Sequence, residues 1–345
     1  SRGVTMGTVH STKITSSQVA QRAGVSQSAV SRVFTPGASV SHKTKEKVLE
    51  AAKDLGYRPN SLARAMVSGR SMIIGLVVAY FDNQFYPEAL EKLSNSLQAK
   101  GYHVLIFTAA RTAADTLDQV IDEILDYQVD GIIAASVALS SDLSERCRAA
   151  NIPIVFFNRS QDGHDISAVT SDNYAGGSKV AAHLIACGHR SIGYIAGWEG
   201  ASTQRDREAG FIAGLQAHGL SLYKREVGNF RMDQARDATL RMFATAPPTA
   251  VFVANDHMAL AVMDCLRYDL GLRIPKDVAV VGYDDVPAAA WPSYNLTTVR
   301  QPANRMVAAA IDTLLAKIDN QDIAPQHIQI DGPLVIRRST QCDEG

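Results

Sequence analysis

The segment from Thr15 to Phe34 constrains the fold of this chain more than any other stretch. Thr15 is a favourable N-cap residue and Gln18 follows three residues later, so together they predict a capping box at the start of a helix. Gly24 falls where the chain must turn, because glycine tolerates the positive φ of a sharp turn. Ser26 predicts the N-cap of a second helix. The spacing therefore predicts a helix-turn-helix.

The side chains of these two helices divide into an inner and an outer set. Val19, Ala20, Ala23, Val30 and Val33 follow helical spacing and predict the packed face. In a helix-turn-helix the second helix enters the major groove, where its first residues meet base edges. The candidate DNA contacts are Thr15, Gln27, Ser28, Ser31 and Arg32. The alternative interpretation is a helical hairpin that serves only for packing.

The charge distribution favours DNA as the partner of this segment. Residues 1–70 contain eleven Lys or Arg and three Asp or Glu, which gives a net charge of +8. The remaining 275 residues carry 23 basic and 32 acidic residues, a net charge of −9. A small basic unit followed by a large acidic one predicts nucleic acid for the first unit and a different task for the second.

A third helix is predicted from Lys43 to Leu55, with Ser41 as its cap and Gly56 after its end. Its lysines either contact phosphate or solvate the surface, and the pattern leaves both open.

The N-terminal segment resembles the LacI/GalR family of repressors. The resemblance runs through VAQRAGVSQSAVSRVF, VSHKTKEKVLEAAKDLGYRPN and LARAM. It implies a hinge helix after the third helix, which would form on operator DNA and wedge an apolar side chain into the minor groove. The matching hinge residues are Asn60, Ala63, Arg64 and Met66. Met66 stands where the family pattern has leucine, although methionine can also wedge between base steps.

From Ser71 onward, buried strands alternate with amphipathic helices. The run from Met72 to Ala79 is almost continuously apolar, which is typical of a parallel strand covered on both faces. Further strands are predicted at His103–Phe107, Gly131–Ala135, Ile154–Phe157, Ile192–Ala196, Ala250–Ala254 and Val278–Gly282. Helices are predicted between them, among these Pro87–Lys100, Ala113–Tyr127, Ala175–Ala186, Arg205–His218 and His257–Leu270. Two βαβ series in one chain predict two doubly wound lobes with a ligand cleft between them.

The sequence argues against an enzyme. GxGxxG after the first strand, GxxxxGK[ST], GxSxG and HExxH are all absent, and the four cysteines form no CxxC group. No catalytic residue, cofactor or metal site is predicted.

The large unit also resembles the LacI/GalR effector domain, which is similar to periplasmic sugar-binding proteins. The expected fold is therefore an N-terminal all-α helix-turn-helix domain plus an α/β periplasmic-binding-protein-like effector domain of two doubly wound lobes. The expected organisation is a disordered leader at 1–13, the helix-turn-helix domain at 14–59, the hinge at 60–70 and the effector-binding and dimerisation domain at 71–345. The lobes are expected at about 72–170 plus 302–330 and at about 171–301 plus 331–340.

The resemblance also implies the positions that line the cleft. The candidate effector-binding residues are Phe85, Tyr86, Ser136, Asn158, Arg159, Arg207, Phe230, Asn255 and Asp284. Arg207 matches the arginine of the family's RxxGF pattern, and its fork of donors suits a pair of hydroxyls or a carboxylate. An aromatic at Phe85 or Tyr86 either stacks on a sugar or belongs to the core. The set predicts a small carbohydrate-like effector: a sugar, a sugar acid or a related polar metabolite.

These expectations describe a cytoplasmic transcriptional regulator that binds a double-stranded, pseudo-palindromic operator as a homodimer. No apolar run reaches the roughly 18 residues of a membrane span, so no membrane partner is expected. The alternative function is that of a solute-binding protein for sugar uptake.

Overall fold

The computed structural model describes residues 13–35, 37–58, 69–79, 81–108, 120, 123–135, 137, 141–161 and 165–340. The chain divides into two compact units, Ser1–Ser71 and Met72–Gly345. Each unit has a hydrophobic core of its own.

The described residues of the first unit form three helices: α1 (Ser16–Ala23), α2 (Gln27–Val33) and α3 (His42–Leu55). The capping box of α1 is present, because the Thr15 hydroxyl accepts from the Gln18 backbone N–H while the Gln18 side chain accepts from the Thr15 backbone. Gly24 ends α1 with φ of 66°, and the Ser26 hydroxyl accepts from the Ala29 N–H. The predicted helix-turn-helix is thus confirmed, including its caps.

The core of this unit is small and drawn from all three helices. Its buried members are Val19, Ala20, Val30, Val48, Ala51 and Ala52. Phe34 and Tyr57 pack beside it with ring centroids 5.8 Å apart. Arg22 on α1 also pairs with Asp54 on α3, with Nη2 and Oδ2 2.9 Å apart. Because three short helices hold one another through so few side chains, each helix depends on its end caps.

The described residues of the second unit form two six-stranded sheets, one in each lobe. The first sheet has the order β11-β5-β4-β3-β1-β2, and every strand pair in it is parallel. Its strands are β1 (Ile73–Val78), β2 (His103–Thr108), β3 (Gly131–Ala135), β4 (Ile154–Phe157), β5 (Ser167–Ser171) and β11 (His327–Ile330). The helices that follow in this lobe are α4 (Phe85–Ala99), α5 (Ser141–Ala149) and α10 (Ala303–Asp319).

The second sheet has the order β12-β10-β9-β8-β6-β7, with only β12 antiparallel. Its strands are β6 (Ile192–Ala196), β7 (Lys224–Val227), β8 (Ala250–Val253), β9 (Ala279–Asp284), β10 (Thr297–Arg300) and β12 (Leu334–Val335). Its helices are α6 (Asn173–Ala186), α7 (Ser202–Gln216), α8 (Met232–Phe243) and α9 (Asp256–Asp264). The two sheets confirm the predicted fold class of two α/β lobes.

The chain passes between the two sheets three times. It leaves the first sheet after β5, returns after β10 and crosses again between β11 and β12. Every strand except β12 is parallel to its neighbours, so the carboxyl ends of the strands lie together at one edge of each sheet. That edge is where ligands bind in open α/β sheets.

Several predicted helices differ from the structure by a few residues at their ends. The helix predicted from His257 to Leu270 begins one residue earlier, and its α-helical part ends at Asp264, followed by a π-helical turn at Cys265–Asp269. Most of the helix predicted from Ala113 to Tyr127 lies outside the described residues; of those described, 120 and 123–126 are helical.

Candidate effector site and DNA-binding helices

A cleft between the two lobes brings most of the predicted effector residues together. Its lining consists of Asp82, Asn83, Tyr86, Asn158, Arg159, Thr203, Arg207, Phe230, Asn255 and Asp284. The empty space between these residues is about 410 Å³, a figure that includes the open solvent at the mouth of the cleft.

Arg207 on α7 occupies the floor of the cleft, and each of its guanidinium nitrogens has a partner. Its Nε donates to Asn173 Oδ1 at 2.8 Å, and Nη1 donates to the Ala254 carbonyl at 2.6 Å. Its Nη2 lies 3.3 Å from Asp284 Oδ1. The guanidinium carbon also lies 3.7 Å from the ring centroid of Tyr283. With 2% of its surface exposed, Arg207 is fixed before any ligand arrives.

Asp284 ends β9 and is linked to both lobes. Its Oδ1 accepts from Gln301 Nε2 at 2.7 Å, and it is also hydrogen-bonded by Asn83. Burial raises the pKa of Asp284, while the charge of Arg207 and these hydrogen bonds oppose the rise. The donors around Asp284 therefore favour its charged form, while burial favours its neutral form.

A second buried acid, Asp256, lies close enough to Asp284 for their charges to interact. Burial and then the charge of Asp284 raise the pKa of Asp256 to about 7, although Thr298 and the Val286 N–H both donate to it. The second lobe therefore carries two buried acids close to the cleft, Asp256 and Asp284, and the charge of Asp284 disfavours the charged form of Asp256.

Three lining residues have backbone conformations that side chains rarely adopt. Asn158 has φ of 68°, Phe230 has φ of 58° and Asp284 has φ of 124°. Positive φ costs a residue other than glycine on the order of 1–3 kcal/mol and is concentrated at functional sites. Its occurrence at three points of one cleft supports this surface as the candidate site.

Three pocket positions were not anticipated, and two predicted ones are not found in the lining. Asp82, Asn83 and Thr203 line the cleft but were not among the predicted effector-binding residues. Phe85 points into the core instead, stacked on Phe157 with ring centroids 6.4 Å apart, because the adjacent Tyr86 takes the cleft side of the helix. Ser136 lies outside the described residues.

Asn173 contacts Arg207 in the candidate site, and its sequence context did not predict this contact. Asp and Asn before a helix usually cap it, and Asp172 does so by accepting from the Ala175 N–H at 3.0 Å. Asn173, however, is 2% exposed and accepts from Arg207 instead. Only the long-range pairing with Arg207 reveals its role.

Several contacts join the lobes around the cleft. The Ser160 N–H donates to Ser202 Oγ at 3.0 Å, and the Ala288 N–H donates to Gln84 Oε1 at 3.0 Å. At the rim, His257 Nε2 lies 3.5 Å from Asp82 Oδ2. Any opening of the lobes must break contacts of this kind, so the cleft and the relative position of the lobes are coupled.

In the first unit, all the predicted DNA contacts of the helix-turn-helix are exposed: Thr15, Gln27, Ser28, Ser31 and Arg32. Gln27 on α2 is held by Ser16, whose Oγ accepts from its Nε2 at 2.9 Å. The hinge residues Asn60, Ala63, Arg64 and Met66 lie outside the described residues. The exposed polar face of α2 has the composition that base-edge recognition requires.

Within the described ranges, no group of His, Cys, Asp or Glu is arranged to hold a metal ion. None of the helices described is both long and apolar enough to cross a membrane.

Comparison with known proteins finds a separate family match in each of the two units. Residues 16–60 match the model of the bacterial regulatory proteins of the lacI family, and residues 181–340 match the periplasmic binding protein-like domain. The chain is 33% identical over 325 residues to the HTH-type transcriptional repressor PurR of Erwinia tasmaniensis, covering 93% of this chain and 95% of that one. It is 32% identical to PurR of Edwardsiella ictaluri, with the same coverage.

Among solved structures, the chain is similar to the Lac repressor dimer bound to operator and an anti-inducer. The TM-score is 0.85 at 28% identity, covering 95% of this chain and 99% of that one. It is also similar to the transcriptional regulator CelR in complex with cellobiose, with a TM-score of 0.72 at 30% identity and coverage of 95% and 100%.

Proposed function

The chain belongs to the LacI family of bacterial regulatory proteins, and we propose that it is a repressor whose affinity for a pseudo-palindromic operator is controlled by a carbohydrate-like effector. As a family member it is a DNA-binding transcriptional regulator under the control of a small molecule. The observation that carries the effector proposal is the polar cleft built around Arg207 and Asp284. The cleft binds the effector, so no catalytic step is assigned to it. The proposed site of action of the protein is DNA in the cytoplasm.

The chemistry of the lining supports a polyhydroxylated ligand. A sugar offers adjacent hydroxyls that both donate and accept, and the cleft presents donors from guanidinium groups and acceptors from amides and a carboxylate. Two buried acceptors near the cleft, Asn158 Oδ1 and Gln301 Oε1, have no hydrogen-bond partner among the described residues. A buried polar atom without a partner costs about 1–3 kcal/mol, and a ligand hydroxyl would remove that cost at Asn158, which lines the cleft.

We also propose that the regulator works as a homodimer, since a single half-site reader binds weakly. Two aromatic side chains of the second lobe support a surface for a second copy: Tyr268 is 82% exposed and Trp291 is 53% exposed. Arg267 and Ser293, next to them in sequence, are joined by a hydrogen bond from Nη1 to the carbonyl oxygen. Large aromatic residues exposed in this way are enriched at subunit interfaces.

In the proposed mechanism, the effector changes how the lobes meet and so the spacing of the two predicted hinges at 60–70. The lobe contacts at Ser160, Ser202, Gln84 and Ala288 are the ones that such a change would break or form. Couplings of this kind amount to about 1–3 kcal/mol, or roughly 5- to 150-fold in operator affinity. Asn60, Ala63, Arg64 and Met66 remain proposed minor-groove and backbone contacts of the hinge.

The test begins with selection of operator DNA from a random library by the full-length protein. Operator affinity is then measured with and without sugars and sugar acids, for the wild type, Arg207→Ala and Arg205→Ala. Arg205 lies on the same helix but is exposed, so its variant is the matched control. The proposal predicts an effector response that is lost in Arg207→Ala and retained in the control. An unchanged response in Arg207→Ala would reject the site, and failure to select DNA would reject the regulator and favour a solute-binding role.

A further inference from the structure

The cleft contains a second arginine whose situation is unlike that of Arg207. Arg159 follows β4 and Asn158, lines the cleft and is only 7% exposed. Its Nε atom is buried and has no hydrogen-bond partner within the part of the chain that the structure describes. A permanently charged group is thus buried at the wall of a ligand site.

No acidic side chain among the described residues forms an ion pair with Arg159. Asp284 is the buried acid of the cleft, and its charge is already engaged by Arg207 and by the Gln301 amide. Asp82 lies at the rim, 46% exposed, and pairs with His257. The close contact recorded for the Arg159 guanidinium is with the Trp198 indole, 5.4 Å from its centroid.

The Trp198 contact does not replace an anion. A cation–π pair contributes about 0.5–2 kcal/mol and leaves the charge in place. Removing an ion from water costs several kcal/mol in a folded protein unless a partner of opposite charge and further hydrogen bonds compensate for it. The described residues of the cleft therefore do not supply the negative charge that would compensate the buried charge of Arg159.

From this deficit we infer that the effector is an anionic polyol whose carboxylate or phosphate group binds Arg159. The inference rests on the proposed function and names the ligand class of that same cleft. The charged end lies beside Trp198, and the hydroxylated remainder extends toward Asn158, Arg207 and Asp284. A guanidinium binds carboxylate or phosphate through two parallel hydrogen bonds, which suits an arginine with free donors.

Asn158 gives the ligand its second point of recognition. Its Nδ2 donates to the Tyr86 hydroxyl at 2.9 Å, which turns its unpartnered Oδ1 away as an acceptor. An acceptor next to a cation selects a group with both a hydroxyl and a negative charge, as in a hydroxy acid. A neutral sugar would satisfy Asn158 but leave Arg159 buried without an anion.

The inference is tested by measuring binding to the full-length protein calorimetrically. The probes are gluconate, galactonate, glucuronate and glucose 6-phosphate, each at up to about 10 mM, beside neutral glucose and galactose. The proteins are the wild type, Arg159→Met, Arg159→Lys and Arg148→Met, whose arginine is in the same lobe but exposed. We expect at least one acid to bind the wild type and to lose about 100-fold in affinity in Arg159→Met. Arg159→Lys should recover part of that loss, and Arg148→Met should bind as the wild type does.

Other results overturn the inference. A neutral sugar that binds the wild type and Arg159→Met equally well would show that the cation is not used by the ligand. The inference is also refuted if the wild type binds none of the acids. The carboxylates and the phosphate ester distinguish the two possible anions. A neutral sugar that controls operator binding would refute the anionic effector and support the proposed function. An acid that binds tightly without changing operator affinity would support the anionic ligand and contradict the proposed function.

Discussion

Arg207 and Asp284 form a buried ion pair whose side chains are 2% and 3% exposed, with Nη2 and Oδ1 3.3 Å apart. Breaking a buried pair from one side leaves a charge without compensation, which typically costs about 3–5 kcal/mol. The pair is therefore a structural element of the cleft as well as a proposed contact of the ligand.

We expect Arg207→Met to lower the free energy of unfolding by about 3–5 kcal/mol, because Asp284 then loses its cationic partner. The double variant Arg207→Met/Asp284→Asn should lose less than the sum of its single variants. Urea unfolding of all three measures this coupling. The control is Arg236→Met, which breaks an exposed pair with Asp269 on the same lobe and should shift the unfolding midpoint little. Additive losses at Arg207 and Asp284 would contradict an energetic pair.

Asp256 should make stability depend on pH. Burial raises its pKa from 3.8 to about 7, so the folded state binds a proton that the unfolded state releases. Stability is then greatest below the unfolded pKa and falls as the pH rises through this window, by about 1–4 kcal/mol. Asp256→Asn should flatten this slope, since an amide can still accept from the Val286 N–H.

Thermal unfolding between about pH 5 and pH 8 measures the slope. The matched control is Asp126→Asn, which removes an exposed acid and should leave the slope as in the wild type. Equal slopes in the wild type and Asp256→Asn would rule out Asp256 as the titrating group.

Close packing of α6 against α7 positions Arg207, and Gly177 makes it possible. A Cβ at Gly177 would lie 2.1 Å from the Arg207 carbonyl oxygen, a distance that forces the helices apart. We expect Gly177→Ala to cost at least about 1–3 kcal/mol and to weaken effector binding. Gly75→Ala, where a Cβ would lie no closer than 3.5 Å to its nearest neighbour, Phe107, is the comparison and should cost less. If both variants unfold alike, the helix contact has no special importance.

Arg32 on α2 should read DNA sequence. Its exposed guanidinium can pair with guanine, so Arg32→Ala should weaken binding to the selected operator by about 1–3 kcal/mol and relax the preference at one position. Fluorescence anisotropy with single-base operator variants measures this. Arg22→Ala, on α1 and paired with Asp54, should change binding to operator and unrelated DNA in equal proportion. An equal loss on all sequences for Arg32→Ala would make it a phosphate contact.

Tyr268 should contribute to the dimer. Because its ring is 82% exposed, Tyr268→Asp should raise the dimer dissociation constant at least about tenfold without destabilising the protomer. Sedimentation equilibrium measures the change. Tyr174→Asp, which also alters a half-exposed tyrosine of the same lobe, is the control. Unchanged association in Tyr268→Asp would place the dimer surface elsewhere.

Local chemistry made parts of this structure predictable. The caps at Thr15, Ser26 and Ser41 and the turn at Gly24 depend on residues a few positions apart, so they could be predicted from the sequence. Long buried strands such as β1 were also predicted, because a parallel strand covered on both faces is continuously apolar. The short, partly exposed strand β7 has no such pattern and was not predicted.

Several contacts in the cleft could not be predicted from the sequence, because they depend on tertiary packing. Phe85 and Tyr86 are adjacent aromatics, and only the rotation of their helix decides which one faces the cleft. Asn173 and Arg207 are 34 positions apart, and their hydrogen bond depends on how two helices pack. Thr203 enters the lining because α7 begins at Ser202, three residues earlier than predicted from Arg205.

The three passages of the chain between the sheets limit how the lobes can move. A single connection would join the lobes at one point, whereas the three passages tie them together at three points along the chain. Gln301 follows β10 at the second passage and donates to Asp284 in the cleft. A backbone segment that connects the lobes therefore also holds the carboxylate that the ligand would contact.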